Sequence, residues 1–428
     1  MKRIAMVALT CAISLGAAAQ SREELEKFKQ QQQAGMQQTA DQFRQYADQR
    51  LEEYQNYEKQ LKEEYEAFKK EIMEKWGDRT MIESSQKKWV EYGKDKSSRT
   101  TVDFENGNVT IEVLADPKDD DKKIQQKLED AVGDLMNSKG KTVDFDSKVI
   151  PTKPLSDEPI LKDQIDFSKY SSLNLKRKDD GKKSQGGSTL AEQSQKNKDQ
   201  KQKQEQVTTT PQVKDIPKVV VKEEKPVTTP VRTVDGDKKI VKIEMKLVED
   251  HIPKRAEQFK GIIKTHSNKY SVDEPLIYAI MEQESAFNPA ARSYVPAYGL
   301  MQLVPKSGGR DAYNYVHNQD KIPTADFLYN PENNIQLGTG YLQLLMTRYF
   351  AGVTDPQCRM LCAIAAYNTG AGNVSRAFTG NTNIKKAIPH INQLTYDQLY
   401  NHLKSKLPHA ETRDYVQKVT SKMEKYKK

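Results

Sequence analysis

The sequence has few of the residues that build metal centres or disulfide frameworks. Its 428 residues include three cysteines and six histidines, and the histidines are scattered along the chain. No group has the spacing of metal ligands, so we expect neither a metal nor a cofactor. Cys358 and Cys362 lie four residues apart in an apolar stretch. They either form a disulfide in an oxidising compartment or remain reduced in the core, and the sequence leaves both open.

Long hydrophobic runs are also lacking, except at the start of the chain. Residues 1–3 are Met-Lys-Arg, residues 4–18 are mostly apolar, and small residues end at Ala19. This pattern is typical of a secretory signal peptide at 1–19, and the apolar run is too short to span a bilayer comfortably. The residues before Cys11 fit a lipidation site poorly, so we expect cleavage after Ala19 and no lipid anchor at Cys11. The protein is therefore predicted to be exported and periplasmic, and outer-membrane association stays open.

An acidic excess is absent as well. The net charge is +8, and 30% of the residues are charged. A basic protein suits an anionic polymer or a membrane surface, whereas an exported chain rarely meets nucleic acid. We therefore expect a cell-wall or membrane-surface partner and no nucleic acid.

The first region after the signal peptide, residues 20–76, is charged, rich in glutamine and nearly free of glycine and proline. Residues 21–34 are expected to be disordered, and the remainder predicts a long helix. The helix is either a short coiled coil or a lone solvated helix, and the oligomeric state stays unknown. Apolar residues fit heptad positions at Ala47, Leu51, Tyr54, Leu61, Tyr65, Phe68 and Ile72.

The middle of the chain predicts a small α+β domain over 77–175. Two β-rich segments flank Asn106-Gly107-Asn108, which is a strong hairpin signal, and a helical pattern follows at 119–138. Residues 176–230 are polar and predict a disordered linker. In the strand and connector at 231–250, alternating apolar residues predict a strand that pairs with the hairpin across the linker.

The last region, 251–428, shows only helical patterns and predicts an all-α domain. Asn330-Pro331 opens one helix, and Thr395 with Gln398 forms a capping box for another. The stretch 357–368 is apolar nearly all round, so it should be the buried central helix. The predicted protein is therefore multidomain, with an all-α domain at the C-terminus and a small α+β domain preceded by a long helix.

One glutamate ends an apolar stripe in this region. Ile277, Ile280, Met281 and Glu284 follow the i, i+3, i+4, i+7 spacing of one helix face, whereas Glu282 points to the opposite side and should be solvated. Burial and the negative end of the helix dipole should raise the pKa of Glu284, as a proton donor requires. The alternative is a helix-terminal glutamate that reaches water or pairs with a lysine.

A second carboxylate is missing nearby, because no acidic residue lies between Ser285 and Arg310. Most glycosidases use two carboxylates. Neutral polar side chains follow instead, and such groups suit the hydroxyls and amides of a sugar. They are Ser293, Gln302, Tyr367 and Asn368.

Three segments resemble the signatures of bacterial lytic transglycosylases with a goose-lysozyme-like helical fold. They read ESAFNP at 284–289, GLMQ at 299–302 and AYNTGAG at 366–372, and ETRDYV at 411–416 extends the resemblance to about residues 250–425. Trp76-Gly77, FENG at 104–107 and EPIL at 158–161 resemble the N-terminal domain of a membrane-bound branch of that family.

The resemblance implies a substrate and a mechanism. Peptidoglycan glycan strands would be cleaved at the β-1,4 bond between N-acetylmuramic acid and N-acetylglucosamine, leaving 1,6-anhydromuramic acid ends. Glu284 would act as acid and then as base, with help from the substrate's N-acetyl group, and the Tyr367 hydroxyl could orient it. The alternatives are a lysozyme-type hydrolase and a non-catalytic wall-binding scaffold. The implied substrate contacts are Ser293, Met301, Gln302, Tyr367, Asn368 and Glu411.

Overall fold

Among the described residues, five antiparallel strands form one sheet, in which the fifth strand along the chain lies between the third and the fourth. The computed structural model describes residues 22–77, 81–143, 145, 147–166, 227–233, 236–294 and 296–427. The predicted signal peptide, Cys11 and most of the predicted linker lie outside these residues. The strands are β1 (Lys88–Tyr92), β2 (Ser98–Asp103), β3 (Asn108–Ala115), β4 (Val227–Thr233) and β5 (Gly236–Lys246).

The sheet joins segments from both sides of the linker. The predicted hairpin is confirmed as β2 and β3, with Asp103 opposite Asn108. The predicted pairing of the later strand is confirmed too, because β5 runs antiparallel to β3 with Ile243 opposite Ile111. The linker boundary was wrong at its end, since β4 already begins at Val227 and pairs with β5. The residues of this edge strand are polar and rich in threonine, so their sequence resembles that of the linker and gives only a weak β signal.

Helices cover both faces of the sheet. Helix α2 (Asp121–Asn137) places Leu128 and Val132 against Val109 and Ile111 on one face. Helix α1 (Arg22–Trp76) places a second set of apolar side chains on the other face. Side chains alternate between the two faces of a strand, so both sets of strand residues are buried. The α1-side cluster comprises Phe68, Ile72, Trp76, Val90, Tyr92, Leu114 and Ile240.

Helix α1 differs from both interpretations of its sequence. It begins at Arg22, so the predicted disorder over 21–34 was wrong. From Tyr54 onward its heptad residues pack against the sheet and the helical domain of the same chain. Neither the coiled coil nor the solvated helix predicted such an intramolecular contact. Gly77 ends the helix at φ 85°. The same face continues toward the N-terminus with exposed Met36, Phe43, Tyr46 and Leu51.

The rest of the chain is helical, as predicted. Over the described residues no helix is both long and apolar enough to cross a bilayer. The helices are α3 (His251–Gln258), α4 (Lys260–Tyr270), α5 (Glu274–Ser285), α6 (Arg310–His317), α7 (Ala325–Tyr329), α8 (Pro331–Leu344), α9 (Pro356–Thr369), α10 (Ala371–Thr379), α11 (Ile384–Ile391), α12 (Tyr396–Lys406) and α13 (Ala410–Tyr426).

Helix α9 is the predicted central helix, and residues 361–366 in it are fully buried. The predicted caps are confirmed for α8, where the Asn330 side chain accepts from the Asn333 N–H, and for α12, where Thr395 and Gln398 form a capping box. Cys358 and Cys362 are buried free thiols in α9. Burial raises the pKa of Cys358 to about 11, so its thiol is unreactive.

Helix α1 also contacts the helical domain. The Tyr57 hydroxyl accepts a hydrogen bond from the Ala325 N–H at 3.2 Å. The Arg292 guanidinium lies 4.9 Å from the centre of the Tyr65 ring, within the range of a cation–π contact. Helix α1 is therefore packed against the helical domain at α7 and at the loop that follows α5.

Candidate active site

Glu284 lies in the last turn of α5, at the end of the stripe that the sequence predicted. Ile277, Ile280 and Met281 are fully buried, and the side chain of Glu284 itself is 8% exposed. One carboxylate oxygen accepts a hydrogen bond from the Tyr415 hydroxyl at 2.6 Å. Burial raises the pKa of Glu284 to about 7, the Tyr415 hydrogen bond opposes this rise, and the charge of Glu411 adds to it. The predicted rise in pKa is confirmed, with burial as its largest cause.

The backbone turns sharply after this helix. Ala286 and Phe287 have φ values of 50° and 60°, a left-handed region that costs non-glycine residues about 1–2 kcal/mol each. The Ser285 hydroxyl holds the turn by hydrogen bonding to the Met281 carbonyl at 3.0 Å and the Leu300 carbonyl at 2.8 Å. This hydroxyl ties the end of α5 to the loop at 299–302.

The loop at 299–302 is held in place by α8. The Asn334 side chain accepts a hydrogen bond from the Met301 N–H at 2.8 Å and donates to the Tyr298 carbonyl at 2.8 Å. A Cβ on Gly299 would lie 2.4 Å from the Asn334 amide nitrogen, and one on Gly338 would lie 2.3 Å from the Met301 sulfur. Both glycines are therefore required by close approach. Met301 is fully buried by this packing, as are Phe287 and Leu300.

Gln302 has a strained backbone and an unused acceptor. Its φ is 48°, and its side chain is 7% exposed. The amide nitrogen donates to the Gly299 carbonyl at 2.9 Å, but the amide oxygen is buried and has no hydrogen-bond partner among the described residues. A buried acceptor without a partner is unfavourable, so this oxygen is suited to accept from a bound ligand.

Tyr367 and Asn368 come from the end of α9. The Tyr367 hydroxyl donates to the Met301 carbonyl at 2.8 Å, so the predicted orienting contact from Tyr367 to Glu284 was wrong. Tyr415 makes that contact instead. The Asn368 side-chain oxygen accepts from the Thr412 hydroxyl at 2.7 Å, which joins α9 to α13.

Glu411 and Ser293 stand at the edge of this arrangement. Glu411 is exposed in the first turn of α13, and no ion pair joins it to a described residue. The Ser293 hydroxyl accepts from the Ala297 N–H at 3.1 Å and closes its own loop.

Glu282 corrects one of the sequence predictions. It is 6% exposed rather than solvated, because α13 covers the face of α5 that the sequence assigned to water. Its carboxylate accepts from the ammonium of Lys422 at 2.7 Å, the ammonium of Lys425 at 2.9 Å and the Tyr426 hydroxyl at 2.6 Å. Burial alone would raise its pKa, but these donors outweigh burial and hold the pKa below its usual value.

Tyr415 is the principal residue that the site analysis of the sequence missed. It lies within the segment 411–416 and on the buried face of α13 with Val416, Val419 and Met423, but the sequence analysis assigns it no role. The signal was a hydroxyl on that face, where a buried Tyr O–H must find an acceptor. Over the described residues there is no group of ligands that would hold a metal ion.

Two family models match separate parts of the chain. The model described as "Transglycosylase SLT domain" matches residues 261–389, which include Glu284, the loop at 299–302 and Tyr367. The model described as "Membrane-bound lytic murein transglycosylase C, N-terminal domain" matches residues 54–178. Tyr415 lies beyond the first match. Together with the all-α C-terminal domain, these matches define the class of the protein as a lytic transglycosylase.

Curated relatives specify the family. A membrane-bound lytic murein transglycosylase C from Actinobacillus pleuropneumoniae is 30% identical over 82% of this chain and 83% of its own length. One from Klebsiella pneumoniae is 29% identical over 82% and 85%. One from Sodalis glossinidius is 40% identical, but the alignment spans 45% of this chain and about half, 53%, of the relative. The chain belongs to the membrane-bound lytic murein transglycosylase C family.

Among solved structures, the lytic transglycosylase Slt from Pseudomonas aeruginosa is 30% identical. The alignment covers 39% of this chain and 23% of that chain, with a TM-score of 0.30. The family assignment above therefore depends on the sequence matches and not on this likeness.

Proposed function

We propose that the protein is a peptidoglycan lytic transglycosylase in which Glu284 is both the acid and the base. The bond cleaved is the β-1,4 bond between N-acetylmuramic acid and N-acetylglucosamine, and the new end is 1,6-anhydromuramic acid. The observation that carries the proposal is the carboxyl of Glu284, which is buried with a pKa of about 7 and hydrogen bonded only to the neutral Tyr415 hydroxyl among the described groups.

A pKa near 7 suits a carboxyl with two successive tasks. The neutral form donates its proton to the glycosidic oxygen, and the leaving sugar departs as an alcohol. The ionised form, stabilised by the Tyr415 hydroxyl, then accepts the proton of the muramic acid C6 hydroxyl as that oxygen attacks C1. Proton release and proton uptake balance, so no water is consumed.

The substrate would supply the group that replaces a second carboxylate. No second carboxylate follows Glu284 within the acid-free stretch 285–310. The N-acetyl group of muramic acid would take that role by attacking C1 from the same sugar, as in other substrate-assisted glycosidases. The product is then formed in two internal displacements.

The neutral polar groups around Glu284 are proposed as sugar contacts. The amide oxygen of Gln302 is an unpartnered buried acceptor, suited to a sugar hydroxyl or acetamido N–H. Tyr367 and Met301 are proposed to line the sugar-binding site, where the Tyr367 hydroxyl donates to the Met301 carbonyl. Asn368, Glu411 and Ser293 remain proposed contacts at its margins.

The deciding experiment is product analysis with Glu284→Gln. Isolated sacculi are incubated with the wild type or the variant, and soluble muropeptides are identified by mass spectrometry. We expect anhydromuropeptides from the wild type, and about 10³-fold less from the variant because the proton donor is gone. Sacculus binding should persist in the variant. Reducing muramic acid ends would instead identify a hydrolase, and undiminished cleavage by the variant would remove Glu284 from the mechanism.

The domain limits and the cellular location of the protein are part of the same proposal. We propose an exported protein with a signal peptide at 1–19, a long helix to 76, a small domain over 77–175, a linker ending near 226, and a catalytic domain over 251–428. Metabolic labelling with a fatty acid tests whether the exported protein carries a lipid anchor at Cys11. Absence of label, with the mature chain starting at Gln20, supports cleavage after Ala19, whereas label lost in Cys11→Ser contradicts it.

A further inference from the structure

Arg255 in α3 is a fully buried cation whose described hydrogen-bond partners are all uncharged. Its side chain is 1% exposed, and no ion pair joins it to a described residue. The guanidinium donates to the Ala286 carbonyl at 3.0 Å, the Gln164 side-chain oxygen at 2.8 Å and the Phe104 carbonyl at 2.7 Å. Its Nη2 also lies 3.2 Å from Nδ1 of His251 in the same helix, whose pKa is lowered to about 4 by burial, so that this ring is neutral. The guanidinium also lies 4.6 Å from the centre of the Phe104 ring. The charge of Glu282 acts favourably on Arg255, but burial is the larger influence and lowers the pKa of the guanidinium to about 9. Burying this cation without a direct ion pair is therefore costly, and the arrangement requires a reason.

Three of the four partners belong to segments that are distant from Arg255 in sequence. Ala286 is the left-handed cap of α5, two residues after Glu284. Gln164 and Phe104 belong to the small domain, and the Gln164 backbone also pairs with the domain connection, because its carbonyl accepts from the Val248 N–H at 2.8 Å. The planar fork of an arginine can hold several acceptors in fixed directions, whereas a lysine acts as a point charge.

A second contact joins the same two regions. The Asn288 side chain, just beyond the cap, donates to the Gln86 carbonyl of the small domain at 3.3 Å. The next residue, Lys87, is held through its carbonyl, which accepts from the Phe104 N–H at 2.9 Å, and its ammonium pairs with Glu105. The positive charge of Lys87 acts on Glu284 and opposes part of the rise in its pKa.

We propose that Arg255 is a positioning residue for Glu284, which it holds in place by fastening the cap after α5 to the docked small domain. The strained cap at Ala286 and Phe287 stays in one conformation because its carbonyl is bound. The small domain, fixed by the same guanidinium, keeps water from the carboxyl. This inference rests on the proposed function of Glu284 and adds a task for the small domain.

Loosening the cap has a predictable effect on the reaction. Sugar contacts at Gln302 and Tyr367 lie on other elements, so substrate binding should change little while the chemical step slows. The ionisable groups that act on Glu284 are Tyr415 and Glu411 on α13, Tyr367 on α9 and Lys87 of the small domain. Because burial is the largest influence, water entering past a loosened cap should move the pKa of Glu284 toward its ordinary value.

The test compares Arg255→Lys with Arg359→Lys. Arg359 binds the Val353 carbonyl through two nitrogens, at 2.9 and 2.7 Å, and has no contact with the cap or the small domain among those described, so it controls for losing an arginine–carbonyl contact. On a soluble glycan fragment we expect Arg255→Lys to lower kcat about tenfold, as loss of about 1.4 kcal/mol of orientation implies. KM should stay within about twofold, and the alkaline limb of the pH–rate profile should move to lower pH. Arg359→Lys should change none of these.

Gln164→Ala keeps the proposal testable if Arg255→Lys does not fold. This variant removes one acceptor on the small-domain side and leaves α5 intact, so it should shift kcat and the pH limb in the same direction by a smaller factor. A merely structural Arg255 would give a lower Tm with unchanged kcat and pH limb, and that result would overturn the proposal.

Failure of the proposed function has a different signature. A wild type that releases no anhydromuropeptides contradicts the function itself. The titration of the Glu284 carboxyl, followed by ¹³C NMR and assigned with Glu284→Gln, then reports on positioning without any activity. A lower midpoint in Arg255→Lys than in the wild type supports the proposal, and an unchanged midpoint contradicts it.

Discussion

Glu282 and Glu284 lie two residues apart at the end of α5, and their environments give them opposite properties. Both side chains are less than a tenth exposed, at 6% and 8%. The pKa of Glu282 is held below its usual value, whereas the pKa of Glu284 rises to about 7. Burial is therefore common to both, and it does not by itself decide which glutamate becomes a proton donor.

The difference lies in the partners. Glu282 accepts from two ammonium groups and one hydroxyl, which stabilise its charged form more than burial destabilises it. Glu284 accepts from the single neutral hydroxyl of Tyr415, which offsets only part of the cost of burial. Both sets of donors come from α13. Its N-terminal half hydrogen bonds to Glu284, and its C-terminal end hydrogen bonds to Glu282. One turn of α5 thus carries a structural ion pair and a candidate acid.

The largest expected contrast is between the two glutamine substitutions. Glu284→Gln should lower the rate of anhydromuropeptide release about 10³-fold. Glu282→Gln should keep the rate within about tenfold, but it should lower the free energy of unfolding at pH 7 by about 2 kcal/mol because partly buried ammonium groups lose their counter-charge. Cleavage assays and urea unfolding measure the two effects. Comparable loss of activity in both variants would show that the distinction between the carboxyls is false.

The second contrast concerns how stability depends on pH. The pKa of Glu284 is raised from 4.5 to about 7, so its contribution to stability is complete below pH 4.5 and is lost as the pH rises to 7. That difference corresponds to about 3 kcal/mol. Glu282 has the opposite sign, because its lowered pKa stabilises the fold above 4.5 and the effect is lost as the pH falls.

Unfolding of Glu284→Gln and wild type at a series of pH values separates the two slopes. The variant has no ionisable group at this position, so it should gain stability over the wild type as the pH rises from 4.5 to 7. An equal pH dependence in the two proteins would contradict the raised pKa of Glu284. Unfolding of Glu282→Gln over the same range is the matched control, and it should differ from the wild type mainly toward acid pH.

Tyr415→Phe should have a smaller effect that sharpens the same contrast. Removal of the hydroxyl destabilises the charged form of Glu284, so its pKa should rise further and the alkaline limb of the pH–rate profile should move to higher pH. The rate should fall about tenfold, since a hydrogen bond to a charged group contributes about 1.5–3 kcal/mol. Tyr426→Phe, which removes the hydroxyl from Glu282 instead, is the control and should leave the profile in place.

The smallest expected effect distinguishes the two lysines on Glu282. The Lys425 side chain is 56% exposed and that of Lys422 is 21% exposed. Lys425→Met should therefore cost only about 0.5 kcal/mol of unfolding free energy, and Lys422→Met should cost more. Thermal unfolding at low and high salt measures both. The reverse order would mean that exposure does not control the strength of these pairs.

Much of the fold could be predicted because its signals are local. The hairpin at Asn106-Gly107-Asn108, the caps at Asn330 and Thr395 and the apolar α9 each follow from neighbouring residues. Alternation of apolar residues predicted β5 as a strand that pairs with the hairpin, and the structure adds that its partner is β3. The helix from Arg22 and the strand from Val227 were missed because polar segments there give weak local signals. The heptads of α1 indicated a buried face without saying that the chain's own sheet would cover it.

The sequence by itself determined that Glu284 ends an apolar stripe, that no acidic residue follows it before Arg310, and that the companion segments are those of a lytic transglycosylase. Tertiary structure decided the partners. Tyr415 is 131 residues from Glu284, and Lys422 is 140 residues from Glu282. Helical periodicity assigns a side chain to a face, but only the packing of α13 and the small domain decides what that face meets. The charge state of a buried carboxyl depends on the residues packed against it, because desolvation and hydrogen bonding act over a few ångströms of space and not along the chain.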